Sequence, residues 1–245
     1  GSRSAPGRSG PLWRRLALPP GLRRLLARIS AGLLVFFVVL PLGLILLYRV
    51  VAPPATPLMV IRLFEGHGWQ RDWVSWEEIS PEVRQAVVAA EDNLFCEHSG
   101  FDWQSLEAAA KAYAAGERAG GGSTISMQTA KNLFLWPTRS VLRKAFEVPL
   151  TALLEILWPK QRILEVYLNI AEWGSGIYGI EAAARHYFGR SAADLTQQQA
   201  AQLAAVLPSP LKWRAQPPGD YVARRAGTIR KRIGQLGPLL DCVRE

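Results

Sequence analysis

Two stretches of this 245-residue chain combine residue types that can do chemistry at spacings a helix would bring together. The first is Glu91-Asp92-Asn93-Leu94-Phe95-Cys96-Glu97-His98-Ser99-Gly100-Phe101-Asp102. Adjacent acids closing an alanine-rich apolar helix are costly to bury unless something ionic or hydrogen-bonding needs them, and a carboxylate kept in such a place can act as a general base. The same stretch also fits a solvated helix end whose acids face the next N-terminus. The second is Gly121-Gly122-Ser123-Thr124-Ile125-Ser126-Met127-Gln128-Thr129-Ala130-Lys131-Asn132. Glycines opening a helix, with hydroxyls and a lysine two turns in, can wrap an anion; they also fit a glycine hinge with a capping serine.

Three other patterns resemble chemistry and lack its context. Gly174-x-Gly176-x-x-Gly179 spells a dinucleotide fingerprint, but a helical stretch precedes it where a strand is needed. Ser209-Pro210-Leu211-Lys212 spells an acylating serine–lysine pair, yet no Lys-Thr-Gly occurs. Gly120-Gly121-Gly122-Ser123-Thr124 lacks the Gly-Lys-Ser/Thr ending of a P-loop.

The elements that must position these residues begin with an anchor. Residues 29–48 run twenty positions without a charge, enough at 1.5 Å per residue to cross a hydrocarbon core of roughly 30 Å. Seven arginines and no acid precede this run, so a net charge of +9 belongs mostly to a tail and not to a nucleic-acid-binding face. The arginine flank predicts a cytoplasmic N-terminus by the positive-inside rule. Two cysteines and three histidines exclude a disulfide-dense scaffold and a thiolate zinc site.

After the apolar run, Val50–Pro57 reads as a stiff proline-rich spacer. Leu58–Leu63 reads as a strand or a membrane-hugging segment. From Ser80 the pattern is helical: Ser80-Pro81-Glu82 is a cap, an N1 proline and a first-turn acid. Further helices are predicted over 103–115 behind Asp102, from Thr138 to near Pro159 with a bend at Pro149, over 160–171, after Gly179, over 197–207 behind a Thr196/Gln199 capping box, and from Asp220. No run of alternating strands follows residue 80, so the fold class is mainly α. Residues 103–120, rich in alanine and glycine, are expected to move. The predicted organisation is a basic tail over 1–28, a transmembrane helix over 29–49, a linker and membrane-proximal segment over 50–74, a catalytic domain over 75–235 and a C-terminal tail over 236–245.

Taken together, the two chemistry-bearing stretches resemble the E-D-x-x-F-x-x-H-x-G and G-G-S-T-I-x-x-Q-x-x-K-N motifs of the peptidoglycan glycosyltransferase family. Arg143-Lys144-Ala145-Phe146-Glu147 is similar to its R-K-x-x-E, and Lys160 through Asn169 to its K-x-x-I-L-E-x-Y-L-N. Leu195-Thr196 through Pro208-Ser209-Pro210 is similar to the last motif, so the resemblance spans about residues 75–232. Met127 stands where a first glutamine is usual and Gln199 where a glutamate is usual. These departures touch a secondary substrate contact and a structural acid.

The resemblance implies a lysozyme-like helical fold with a cleft opening towards the membrane. It implies polymerisation of lipid-linked disaccharide (lipid II) onto a growing glycan chain. With no transpeptidase domain following, the chain is expected to be one of the monofunctional, membrane-anchored members, with its domain periplasmic and its helix in the inner membrane. Glu91 is implied as general base and Glu147 as a second catalytic acid that orients the donor or holds the basic cluster. Asp92, Phe95, Ser123, Thr124, Gln128, Lys131, Asn132, Arg139, Arg143 and Lys144 are implied as substrate-binding, with the cations facing the diphosphate that leaves. No cofactor is required; a divalent cation, Mg or Mn, is a candidate at the diphosphate. The bilayer and other cell-wall synthesis proteins are the expected partners, and no nucleic acid. His98 and Asn169 are expected to be structural, Leu133–Trp136 to rest on the bilayer or pack inside, and Cys96 to be reduced or buried. The alternatives are a lysozyme-like lytic hydrolase, which would need no diphosphate site, and a non-catalytic membrane scaffold.

Overall fold

A computed structural model describes residues 19–116, 121–138 and 140–244. The chain divides into two compact units, Gly1–Leu44 and Ile45–Glu245. In the first, helix α1 (Pro20–Leu34) passes through a π-helical stretch, Val35–Val39, into α2 (Leu40–Tyr48), 29 helical residues from end to end. The π-helical stretch falls just ahead of Pro41, where a missing N–H interrupts the regular ladder. No side chain of α1 is buried. By length and composition a helix over Pro20–Tyr48 is able to cross a membrane.

The second unit takes in the last turn of α2. Ile45 is fully buried in its core. Trp158 Nε1 donates to the Ile45 carbonyl at 2.8 Å, and Arg162 donates to the Tyr48 carbonyl through Nε at 3.0 Å and Nη2 at 2.7 Å. The Tyr48 carbonyl, one of those a helix leaves unpaired at its C-terminus, is thus satisfied by a side chain, while the Ile45 carbonyl takes the indole as well as Arg49 N. Arg71 donates to the Pro53 and Pro54 carbonyls, which fixes the proline spacer.

The stretch over 58–63 is neither strand nor irregular. Thr56 accepts from Met59 N at 3.3 Å and Pro57 occupies the first helical position, giving α3 (Pro57–Phe64). The cap outweighs the β-prone composition behind it. The helices then follow closely: α4 (Pro81–Glu91), α5 (Trp103–Ala114), α6 (Ile125–Phe134), α7 (Val141–Leu157), α8 (Lys160–Ile170), α9 (Ile180–Phe188), α10 (Gln197–Val206) and α11 (Asp220–Leu236). Ser80 caps α4 as expected and Asp102 accepts from Ser105 N at the head of α5, which runs over 103–114 where a helix over 103–115 was predicted; residues 117–120 of the stretch expected to move lie outside the described residues. The cap of α7 is Ser140, not Thr138, whose carbonyl instead takes Arg143 Nε.

A small sheet joins the α domain, in the order β1 (Gln70–Arg71), β3 (Ile177–Tyr178), β2 (Glu172–Gly174). It explains the glycine pattern at 174–179. Gly176 has φ +70° and a Cβ there would lie 2.1 Å from the His67 carbonyl oxygen; at Gly179, φ +86°, it would lie 2.9 Å from that of Asn169. These glycines permit backbone to meet backbone. Asn169 is fully buried and bridges the Val74 N–H and carbonyl, tying the chain ahead of α4 to α8. Leu133 and Leu135 pack in the core while Trp136 stays exposed. Met127 is core as well, and Gln199 closes the capping box of α10 by accepting from Thr196 N, which a glutamate would do equally.

Candidate active site

A cleft of about 790 Å³ opens where the end of α4, the start of α6 and α11 meet; Glu91, Ser105, Ser123, Gln128, Arg225 and Arg232 lie on its walls. Glu91 is the last residue of α4, so helix geometry alone brings it to the rim. Its Oε2 accepts from Gln128 Nε2 at 2.9 Å, and Gln128 Oε1 in turn accepts from the Tyr167 hydroxyl at 3.2 Å. The tyrosine decides which way the amide faces, and the amide then fixes one carboxylate oxygen. Burial pushes the Glu91 carboxyl above the ordinary carboxylate range; the Gln128 bond and the charges of Arg225 and Lys131 pull it back, while Asp92 adds to the rise. A raised carboxylate is a stronger base once ionised. Burial also pushes the Tyr167 phenol far up, so it remains a donor.

Asp92 adjoins the cleft, but its carboxylate is engaged in the interior. Its oxygens take His98 Nε2 at 2.9 and 3.1 Å, and Oδ2 accepts from Ile125 N at 2.8 Å. It therefore serves a free N–H at the head of α6 while standing among the residues that line the cleft. His98 Nδ1 accepts from Gly100 N, which leaves the proton on Nε2 for Asp92. Phe95 is fully buried, with the Lys160 ammonium 4.6 Å from its ring centre. Thr124 is buried, caps α6 and donates to the Gly100 carbonyl. This lock joins the two motifs.

The cations gather beside the cleft. On α7, Arg143 Nη1 meets Glu147 Oε2 at 2.5 Å and Lys144 Nζ meets Glu147 Oε1 at 2.6 Å. Lys144 also donates to Ser123 Oγ on the cleft wall at 3.2 Å. Glu147 is 2% exposed with both oxygens occupied, so in this structure it holds the basic cluster together. Lys131, on α6, lies in the field of Glu147, Arg143, Lys144 and Glu91; burial pushes its ammonium below the ordinary lysine range. Lys131, Arg143 and Lys144 thus share one enclosed acid, Glu147, with Glu91 also acting on Lys131. Asn132 is partly buried one position beyond Lys131. Arg139 lies outside the described residues. Among the described residues no group of three His, Cys, Asp or Glu converges as a metal site.

Arg225 and Arg232 carry no motif and were not anticipated. They sit seven residues apart, on one face of α11. Arg225 Nη2 donates to the Ala90 carbonyl at 3.1 Å and Arg232 Nη1 to that of Ala89 at 3.0 Å. Removing Arg225 takes away a positive charge that lowers Glu91. The Arg225→Met variant should therefore need higher pH to ionise the base, and the acid limb of its pH–rate profile should move upwards. An unmoved limb would separate Arg225 from Glu91.

The cysteines overturn an expectation. Cys96 is neither reduced nor fully buried; it is disulfide-bonded to Cys242, 146 residues away.

A family model described as Transglycosylase matches residues 59–233. The biosynthetic peptidoglycan transglycosylase of Caulobacter vibrioides is 52% identical over 223 residues, covering 90% of this chain and 97% of that protein. Its namesake from Rhodospirillum centenum is 52% identical over 219 residues, covering 89% and 93%. That of Pseudomonas entomophila is 51% identical over 224 residues, covering 88% and 94%.

Proposed function

The chain belongs to the transglycosylase family, and from that premise we propose how its cleft performs the reaction. It is a peptidoglycan glycosyltransferase with a lysozyme-like helical domain, and it builds glycan strands. In our reading the donor is a glycan chain on polyprenyl diphosphate and the acceptor is lipid II. Glu91 takes the proton from the acceptor 4-hydroxyl as that oxygen attacks the anomeric carbon. The carbon–oxygen bond to the diphosphate breaks as the new one forms, so an α-linked donor yields a β-1,4 bond with inversion. The departing negative charge is met by Lys131, Lys144 and Arg143. Gln128, aimed by Tyr167, holds the base for in-line attack.

The observation that carries this reading is the pairing of one partly buried, hydrogen-bonded glutamate on the cleft wall with a basic cluster beside it, whose Lys144 reaches the cleft-lining Ser123 and whose Lys131 lies in the field of Glu91. A hydrolase releasing a neutral sugar has no use for that cluster. The test is purified enzyme given lipid-linked disaccharide, then finished glycan. Lengthening of the first supports the reading, and cleavage of the second would overturn it.

The apolar helix over Pro20–Tyr48 is consistent with a single-pass anchor. We place it in the inner membrane with the arginine-rich end cytoplasmic and the domain periplasmic. A reporter joined ahead of Arg14 should then read cytoplasmic and one after Glu245 extracytoplasmic; the reverse pattern would refute the orientation. An anchored enzyme meets a lipid-linked substrate within the plane of the bilayer, which fits a donor that never leaves it. Other wall-synthesis proteins are proposed partners.

A further inference from the structure

The C-terminal segment is joined to the catalytic end of α4 at three levels. Arg232 reaches the Ala89 carbonyl, Arg225 reaches the Ala90 carbonyl, and Cys242 is bonded to Cys96. The two carbonyls are among those a helix leaves unpaired at its C-terminus, where cations are favourable. Beyond α11 the chain turns into a 3₁₀ helix, Gly237–Val243, whose Leu240 and Val243 are fully buried and whose Cys242 makes the crosslink. Cys96 lies in the turn just after Glu91 and Asp92. The cleft is lined from both sides of the bond: Asn93 and Leu94 from the Cys96 turn, Arg225, Arg232 and Leu236 from α11. One covalent bond thus closes the arc that holds the base, its neighbouring arginine and the cleft wall between them.

We propose that Cys96 and Cys242 are positioning residues for glycan transfer: their disulfide keeps α11 and its arginines docked on the end of α4 that bears Glu91, and its reduction slows the reaction. This rests on the glycosyltransferase reading above. Both cysteines are partly exposed, so a dithiol can reach them. One thiolate of the reductant attacks a cysteine sulfur, breaks the S–S bond and forms a mixed disulfide; the reductant's second thiol then attacks its own sulfur in that mixed disulfide and expels the remaining protein thiolate. The protein gains two S–H groups, and the reductant loses two electrons and two protons in closing to a cyclic disulfide. The chain contains two cysteines in all, so the reagent has no other protein thiol pair to act on.

The test uses the full chain in lipid with lipid-linked disaccharide. Turnover and its pH profile are measured for the oxidised protein, for the same protein reduced with dithiothreitol and alkylated, and for the C96S/C242S double variant. Ångström-scale misplacement of catalytic groups can cost up to about 10²-fold; reduction should lower turnover by roughly threefold to hundredfold within that bound. The acid limb should also rise as Arg225 withdraws its charge from Glu91. The double variant should match the reduced protein and not respond to dithiothreitol. If it does not fold, reduction of the folded wild type, followed by circular dichroism, carries the test alone. A lower melting temperature with unchanged turnover and acid limb would mark the bond as structural and overturn the proposal. So would a reductant response persisting in the double variant. An oxidised wild type that cleaves glycan and makes none would instead overturn the reaction, and this inference with it.

Discussion

Glu91→Gln should cut polymer formation by at least about 10²-fold while leaving the domain folded. The amide keeps the shape of the side chain and can still pair with Gln128, but it cannot take a proton from the acceptor hydroxyl. The structure sharpens this expectation. Glu91 has one oxygen fixed by Gln128 at 2.9 Å, and its pKa is raised chiefly by burial. Its wild-type pH–rate profile should therefore show an acid limb above the ordinary carboxylate value. Ionisation of the base is required, so rate rises with pH through that limb. Near-wild-type turnover by the glutamine variant would remove Glu91 from the role.

The second large effect is expected at the cation cluster. Replacing Lys131 or Lys144 with Met should cost about 10–1,000-fold in transfer from a diphosphate donor, since a charged hydrogen bond is worth roughly 1.5–3 kcal/mol and developing charge adds to it. Lys131 should be the more severe. It lies in the fields of both Glu147 and Glu91, so its loss weakens the diphosphate site and also raises the pKa of the base. Lys144 shares Glu147 with Arg143, which remains when Lys144 is gone. Arginine should rescue Lys131 poorly, because a planar fork does not fit where a compact ammonium is enclosed. Full polymerisation by both Met variants would detach the cluster from the leaving group.

Local signals carried most of the helical framework. Ser80-Pro81, Asp102 and the Thr196/Gln199 box each act within three residues of themselves, and the helices behind them begin where those residues place them. α3 was obscured because Leu58–Leu63 has strand-like composition, while the Thr56-Pro57 cap that decides the matter lies just outside it. The motif glutamates and lysines were legible as residue types, but their division of labour was not. Asp92 turns out to serve α6, a consequence of where a distant segment packs, while Glu147 pairs with cations three and four residues before it on its own helix. Arg225 and Arg232 gave only an i, i+7 spacing, since their partners at Ala90 and Ala89 lie 135 and 143 residues earlier. The pairing of Cys96 with Cys242 is likewise a tertiary fact: nothing in a spacing of 146 residues fixes the 5.8 Å between their Cα atoms.

The most direct measurement of the central claim follows product and leaving group together. Purified enzyme in lipid is given labelled lipid-linked disaccharide, and glycan length and free polyprenyl diphosphate are read in the same reaction. Lengthening strands with one diphosphate released per bond formed, both lost in Glu91→Gln and Lys131→Met, is the predicted result. Diphosphate release without strand growth, or shortening of preformed glycan by the wild type, would contradict it.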